Sequence, residues 1–186
     1  MTSSARLSHV VFLLGIMVAT CPVSAQEFEA FRLKSGMTAE QVQNPAPSSY
    51  ELRLDKQQGS PGWATGVIGK PLSDLTDDDS DIYAMVSFCN GSLVTVSRHI
   101  DPDTEFATYV EKWLRDFGQP KVSLRREPWT GTGGGEIVTV EFDWLHDGVK
   151  YMLMLHPEGR SGAGQLRYSR GAGVIFTLEK YSCLKK

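Results

Sequence analysis

The sequence has no long apolar run. Its longest, Val10 to Thr20, is eleven residues, about half of the roughly 20 that a membrane-spanning helix needs. Basic residues are also short, with 19 Lys and Arg against 22 Asp and Glu and a formal net charge of −3. Nucleic acid and anionic lipid are bound chiefly by clustered cations, so neither is an expected partner. Cysteine is scarce at three, too few for a disulfide-dense scaffold. A Gly-x-Ser-x-Gly nucleophile elbow is missing, and no two histidines stand at helical i, i+4 spacing around a glutamate.

What is present begins with an export signal. Arg6 supplies the positive start, Val10 to Thr20 the apolar stretch, and Val23-Ser24-Ala25 a small-x-small cleavage site. Residues 1–25 are therefore expected to be a signal peptide, leaving residues 26–186 as a single domain. Val18-Ala19-Thr20-Cys21 is a weaker, lipobox-like alternative, with Thr20 where Gly, Ala or Ser is expected. Removing Arg6 with the signal leaves 18 cations against the 22 acids, a net charge near −4. A chain of this length buries about two-thirds of its unfolded surface without metals.

Two dipeptides that tolerate positive φ mark hairpin turns, Asn90-Gly91 and Asp147-Gly148. Around the second, a two-residue loop pairs Trp144 with Tyr151, Phe142 with Leu153 and Val140 with Leu155 on one apolar face. Around the first, from about Ile82 to Ile100, the same loop pairs Phe88 with Leu93 but places Met85, Val94 and Val96 on the other face. Either both faces are partly covered or a bulge shifts the register. Between the hairpins a helix is predicted from Pro102 to Phe117, capped by Asp101 and stopped by Gly118 and Pro120. Phe106, Tyr109, Val110, Trp113, Leu114 and Phe117 form its apolar stripe, an expected core contact. A last strand is expected at Val174 to Tyr181. Gln57 to Asp81 and Arg160 to Gly173 read as surface loops rich in Gly with Asp or Arg.

Near the start, Thr38 is a natural N-cap, Gln41 its capping-box partner and Met37 a residue that can staple onto Val42. Asn44-Pro45 ends this helix after barely two turns. Gly36-Met37-Thr38-x-x-Gln41-Val42 resembles the first-helix opening of the SmpA/OmlA group, the BamE-like small lipoproteins of outer-membrane β-barrel assembly. The helix exit Phe117-Gly118-Gln119-Pro120 resembles the Gly-x-Pro exit of the same group. That resemblance implies helices packed on one face of a small antiparallel sheet. The expected fold is accordingly α+β in two layers, an antiparallel sheet of hairpins with one long and one short helix on one face.

Candidate chemistry is sparse. Asp77, Asp79 and Asp81 alternate as in a calcium loop, but Ile82 and Phe88 stand where its glycine and final glutamate belong. Gly131 to Glu136 is glycine-dense yet precedes a strand, so it is a flexible connection and not a phosphate cradle. His99, His146 and His156 would bind metal only if the fold gathered them. Asn90-Gly91-Ser92 matches a glycosylation sequon that its turn role already explains. No catalytic, metal or cofactor residues are assigned. Cys89 and Cys183, the two thiols left after Cys21, are expected to form one disulfide in an oxidising compartment. The expected function is that of an exported, periplasmic or secreted, non-enzymatic envelope module contacting an unidentified envelope protein as accessory or inhibitor. The alternative is a small periplasmic hydrolase or metal- or ligand-binding protein built from the Asp77 to Asp81 loop, His99 and the glycine-rich loops.

Overall fold

Alternating apolar and polar residues run through most of the chain, and the result is sheet. The computed structural model describes residues 27–55, 62–74, 82–128, 135–160, 166–181 and 183. In chain order these form β1 (Glu29–Ala30), β2 (Leu33–Lys34), α1 (Ala39–Gln43), β3 (Glu51–Asp55) and β4 (Trp63–Gly69). A single 3₁₀ turn, Leu72–Asp74, precedes β5 (Ile82–Cys89), β6 (Ser92–Ile100) and α2 (Glu105–Phe117). The remainder is β7 (Lys121–Pro128), β8 (Glu136–His146), β9 (Val149–His156), β10 (Gly159–Arg160), β11 (Leu166–Tyr168) and β12 (Gly171–Leu178). Met1 to Gln26, which include the expected export signal and Cys21, lie outside the described residues.

Eight strands make one antiparallel sheet in the order β3-β4-β5-β6-β12-β9-β8-β7. Each half is a meander, β3 to β6 before α2 and β7, β8, β9 and β12 after it. The halves join where the final strand docks against β6, with Phe176 opposite Val96 and Thr177 opposite Thr95. The Asn90-Gly91 and Asp147-Gly148 turns take φ of 50° and 79°, and 47° and 73°, the left-handed values of a type I′ hairpin. In the Asp147-Gly148 hairpin Trp144, Phe142 and Val140 face Tyr151, Leu153 and Leu155. In the Asn90-Gly91 hairpin Phe88 pairs with Leu93, Ser87 pairs with Thr95, and the register shifts between them. A bulge at Val94 therefore returns Val96 to the face of Val86, the second of the two options open from sequence.

Registers align Leu54, Gly66, Val86, Val96, Phe176, Tyr151 and Trp144 in one row across seven strands. Gly66 is needed there because a Cβ would stand 2.6 Å from the Arg53 carbonyl oxygen. Trp113 of α2 settles on this row, its ring 5.4 Å from those of Trp144 and Tyr151 and 5.6 Å from that of Phe176. The Trp144 indole donates to the Gly118 carbonyl at 2.7 Å, tying the helix exit to the sheet. Gly118 adopts φ of 80°, which ends α2 where sequence places the stop. The start moves: Asp101 accepts from the backbone N–H groups of Asp103 and Thr104, so 102–104 form a turn and helix begins at Glu105.

The two-layer α+β expectation is corrected by this arrangement. Among the described residues strand predominates, at 54%, and only one of the two helices reaches seven residues, so helices do not form a layer. The short helix α1 has its whole capping box, with Gln41 N–H to Thr38 Oγ1 at 3.3 Å and Thr38 N–H to Gln41 Oε1 at 2.8 Å. It buries Val42, but it packs beside β3 at the margin of the sheet. The covering of that face is shared with the β1-β2 hairpin, whose Phe28 and Leu33 are buried. Strands β4 and β7 lie in stretches where sequence gives no strand, and β12 begins three residues earlier than expected. No helix among the described residues is long and apolar enough to cross a membrane.

Candidate functional site

Arg98 is an anomaly of position. It lies on β6 opposite Val174, which faces Leu153 and through it Phe142, so it occupies an apolar row on the covered face. Val174 and Leu153 are fully buried, and Arg98 itself is half-buried. Its guanidinium carbon stands 5.3 Å from the ring centroid of Phe31 and 5.7 Å from that of Tyr83. Among the described residues no carboxylate lies within ion-pair distance of it and no acceptor takes a hydrogen bond from it. The cation is held by two aromatic faces, and its N–H edge is unspent.

The turn that supplies Phe31 is strained. Phe31 and Arg32, neither of them glycine, take φ of 55° and 63°, a conformation that costs free energy for residues with a Cβ. Three contacts hold it. The Tyr83 hydroxyl donates to the Phe31 carbonyl at 2.6 Å, the Phe31 ring meets Phe176 edge-on at 5.8 Å, and Arg98 covers its face.

Beside Arg98 opens a cleft of about 470 Å³, walled by Tyr50, Ile82, Tyr83, Ile100 and Arg170. Tyr50 and Tyr83 stack with centroids 6.4 Å apart. The other charges at the cleft are engaged. Arg170 pairs with Asp103 and donates to the Pro102 carbonyl. Asp101 accepts from the Thr104 backbone N–H and hydroxyl and from the Asp103 N–H, and these bonds hold its carboxyl below the ordinary value.

A second feature is the asymmetry of the sheet's two edges. At β3 the Gln43 side chain takes the place of a neighbouring strand, accepting from Leu52 N–H at 2.5 Å and donating to the Tyr50 carbonyl at 2.7 Å. At β7 the sheet ends, and every residue of that strand except Ser123 is exposed. Val122 and Leu124, on the face that α2 covers further in, are 55% and 61% exposed. Of the cations on this strand, Arg125 pairs with Glu127 and Glu141 and Arg126 pairs with Glu136.

The sequence candidates are dispersed. His99 lies on β6, with Gly173 opposite. His146 ends β8, stacks on Phe117 at 4.8 Å and meets the Asp147 carboxylate at 3.2 Å. His156 ends β9 and lies over Gly171, where a Cβ would stand within 3.0 Å of its ring. Among the described residues no three His, Cys, Asp or Glu side chains come together as a metal site. Asp77, Asp79 and Asp81 lie outside the described residues, as does most of Gly131 to Glu136. Cys89 and Cys183 do meet, with Cα atoms 5.7 Å apart across 94 residues of sequence. Their bridge ties the segment after β12 to the hairpin tip, where Tyr181 stacks on Trp63 at 5.7 Å. The hydroxyl of Tyr181 is pushed upward in pKa by burial. Sequence reasoning missed Arg98 and the β7 edge. The signal for Arg98 was its place in the alternation that carries Val96 and Ile100.

No protein-family model matches the chain, and neither a curated protein nor a solved structure matches it.

Proposed function

We propose that this chain is an exported, non-enzymatic module of the cell envelope that works by pairing its β7 edge with an extended segment of another envelope protein, as an accessory or an inhibitor. The observation that carries the reading is the contrast between the edges. Gln43 meets the Leu52 N–H and the Tyr50 carbonyl at the β3 edge, whereas β7 offers eight residues of backbone together with Val122 and Leu124. An added strand gains main-chain hydrogen bonds from such an edge and fits alternate side chains to its neighbours.

Side-chain fit selects the occupant. Arg125 is paired with Glu127 and Glu141 and Arg126 with Glu136, so the edge is close to charge balance and favours a strand-forming segment with apolar side chains at alternate positions against Val122 and Leu124. Export is supported by the signal-like Arg6 to Ala25 stretch and by a disulfide suited to an oxidising compartment. The resemblance of Gly36-Met37-Thr38-x-x-Gln41-Val42 to the SmpA/OmlA helix opening gives a further, short-range support for an envelope role.

Affinity capture from envelope extract tests the reading. The wild type is expected to enrich a partner over an unrelated exported control, and Val122→Lys/Leu124→Lys is expected to lose it. Equal enrichment by both proteins, or none by the wild type, would overturn the assignment to β7.

A further inference from the structure

We infer that the cleft beside Arg98 is a binding site for a small organic carboxylate, independent of the β7 edge. A guanidinium placed in an apolar row is costly to desolvate and is normally paired with a carboxylate. Here the described structure supplies no carboxylate to it. It supplies instead the two rings of Phe31 and Tyr83, which hold the cation by its faces. Ring contacts leave the planar N–H edge free, and that edge presents two parallel donors suited to a carboxylate.

The surroundings favour an organic anion over a bare inorganic one. Tyr50, Tyr83, Ile82 and Ile100 give the cleft an apolar side, set against a polar side of His99, Asp101 and Arg170, and about 470 Å³ admits a body of one ring or a short branched chain. Among the described residues Asp101 is spent on the amides of the α2 start, Asp103 on Arg170 and Glu105 on the Asp101 N–H. They therefore do not compete for Arg98. The strained Phe31-Arg32 turn fits the same reading, because it fixes one of the two rings that orient the cation.

Isothermal titration with benzoate and with inorganic phosphate tests this site. Wild-type protein is expected to bind benzoate more tightly than phosphate. Arg98→Met is expected to weaken benzoate at least tenfold. Tyr50→Ala, which keeps the cation and removes one wall, is expected to weaken benzoate several-fold and leave phosphate unchanged. Circular dichroism and the Cys89–Cys183 bridge report that each variant is folded. Failure to bind benzoate, equal binding by Arg98→Met, or tighter binding of phosphate than benzoate would overturn the assignment.

Discussion

The Gln43 carboxamide spans the backbone of β3 as a strand would, its oxygen 2.5 Å from the Leu52 nitrogen and its nitrogen 2.7 Å from the Tyr50 oxygen. Helix α1 is only five residues long, too short to be stable alone, and its capping box fixes the angle at which Gln43 reaches the edge. Gln43→Ala is expected to lower stability by about 1 to 2 kcal/mol, the scale of losing side-chain partners of partly buried backbone groups. Exchange of the Leu52 amide should quicken in parallel. Urea titration and hydrogen exchange check both, and an unchanged Leu52 rate would mean that the edge is protected by something else.

Trp113 touches the rings of Trp144, Tyr151 and Phe176 from three strands. Trp113→Ala is expected to cost about 3 to 5 kcal/mol. Leu114, next to it but 37% exposed, should change stability by no more than about 0.5 kcal/mol on truncation to Ala. Similar losses at the two positions in chemical denaturation would mean that the helix is rotated on the sheet.

The bridge between Cys89 and Cys183 encloses 94 residues. On the chain-entropy account it stabilises by about 4 to 5 kcal/mol at most, since residual structure in the unfolded chain reduces the gain. Cys89→Ala/Cys183→Ala should lower the denaturation midpoint accordingly. Alkylation of denatured, unreduced protein should label neither residue, and labelling of both would remove the bridge from the account.

Asp101 gives a pH dependence of definite sign. Its carboxyl is held below the ordinary 3.8, first by the Thr104 backbone N–H, then by the Thr104 hydroxyl and the Asp103 N–H. A carboxyl depressed on folding adds stability that is fully present above the ordinary value and is lost as pH falls through the lowered one. The Tm advantage of wild type over Asp101→Asn should therefore hold from neutral pH down to mild acid and shrink below 3.8. An advantage that persists undiminished in strong acid would contradict this role for the α2 start.

The legible parts of the fold were those with a local cause. Asn90-Gly91 and Asp147-Gly148 fix their turns by φ, and the Trp144-Tyr151 register follows from turn length alone. The stop at Gly118 and the Thr38 capping box are equally local. Strand β4 was hidden because Gly66 and Gly69 break its alternation, and the role of Gly66 depends on the close backbone of β3. Strand β7 was hidden because an edge strand in water shows charge in place of period two. The two-helix layer failed because a capped start says where a helix begins and not what it covers. Arg98 was missed for a related reason: the alternation with Val96 and Ile100 gives its side of the strand, and the register against Val174 shows that this side belongs to the core.

Photocrosslinking in the producing cell tests the central claim most directly. A benzophenone side chain placed at Leu124 on β7 is compared with one at Leu54 on β3. Leu54 is also exposed, at 46%, on the strand whose Leu52 N–H is already bonded to Gln43. Irradiation is expected to give a discrete higher-mass adduct from position 124 and none from position 54. Equal adducts from both positions, or none from 124 while export and folding are intact, would contradict a module that works through its β7 edge.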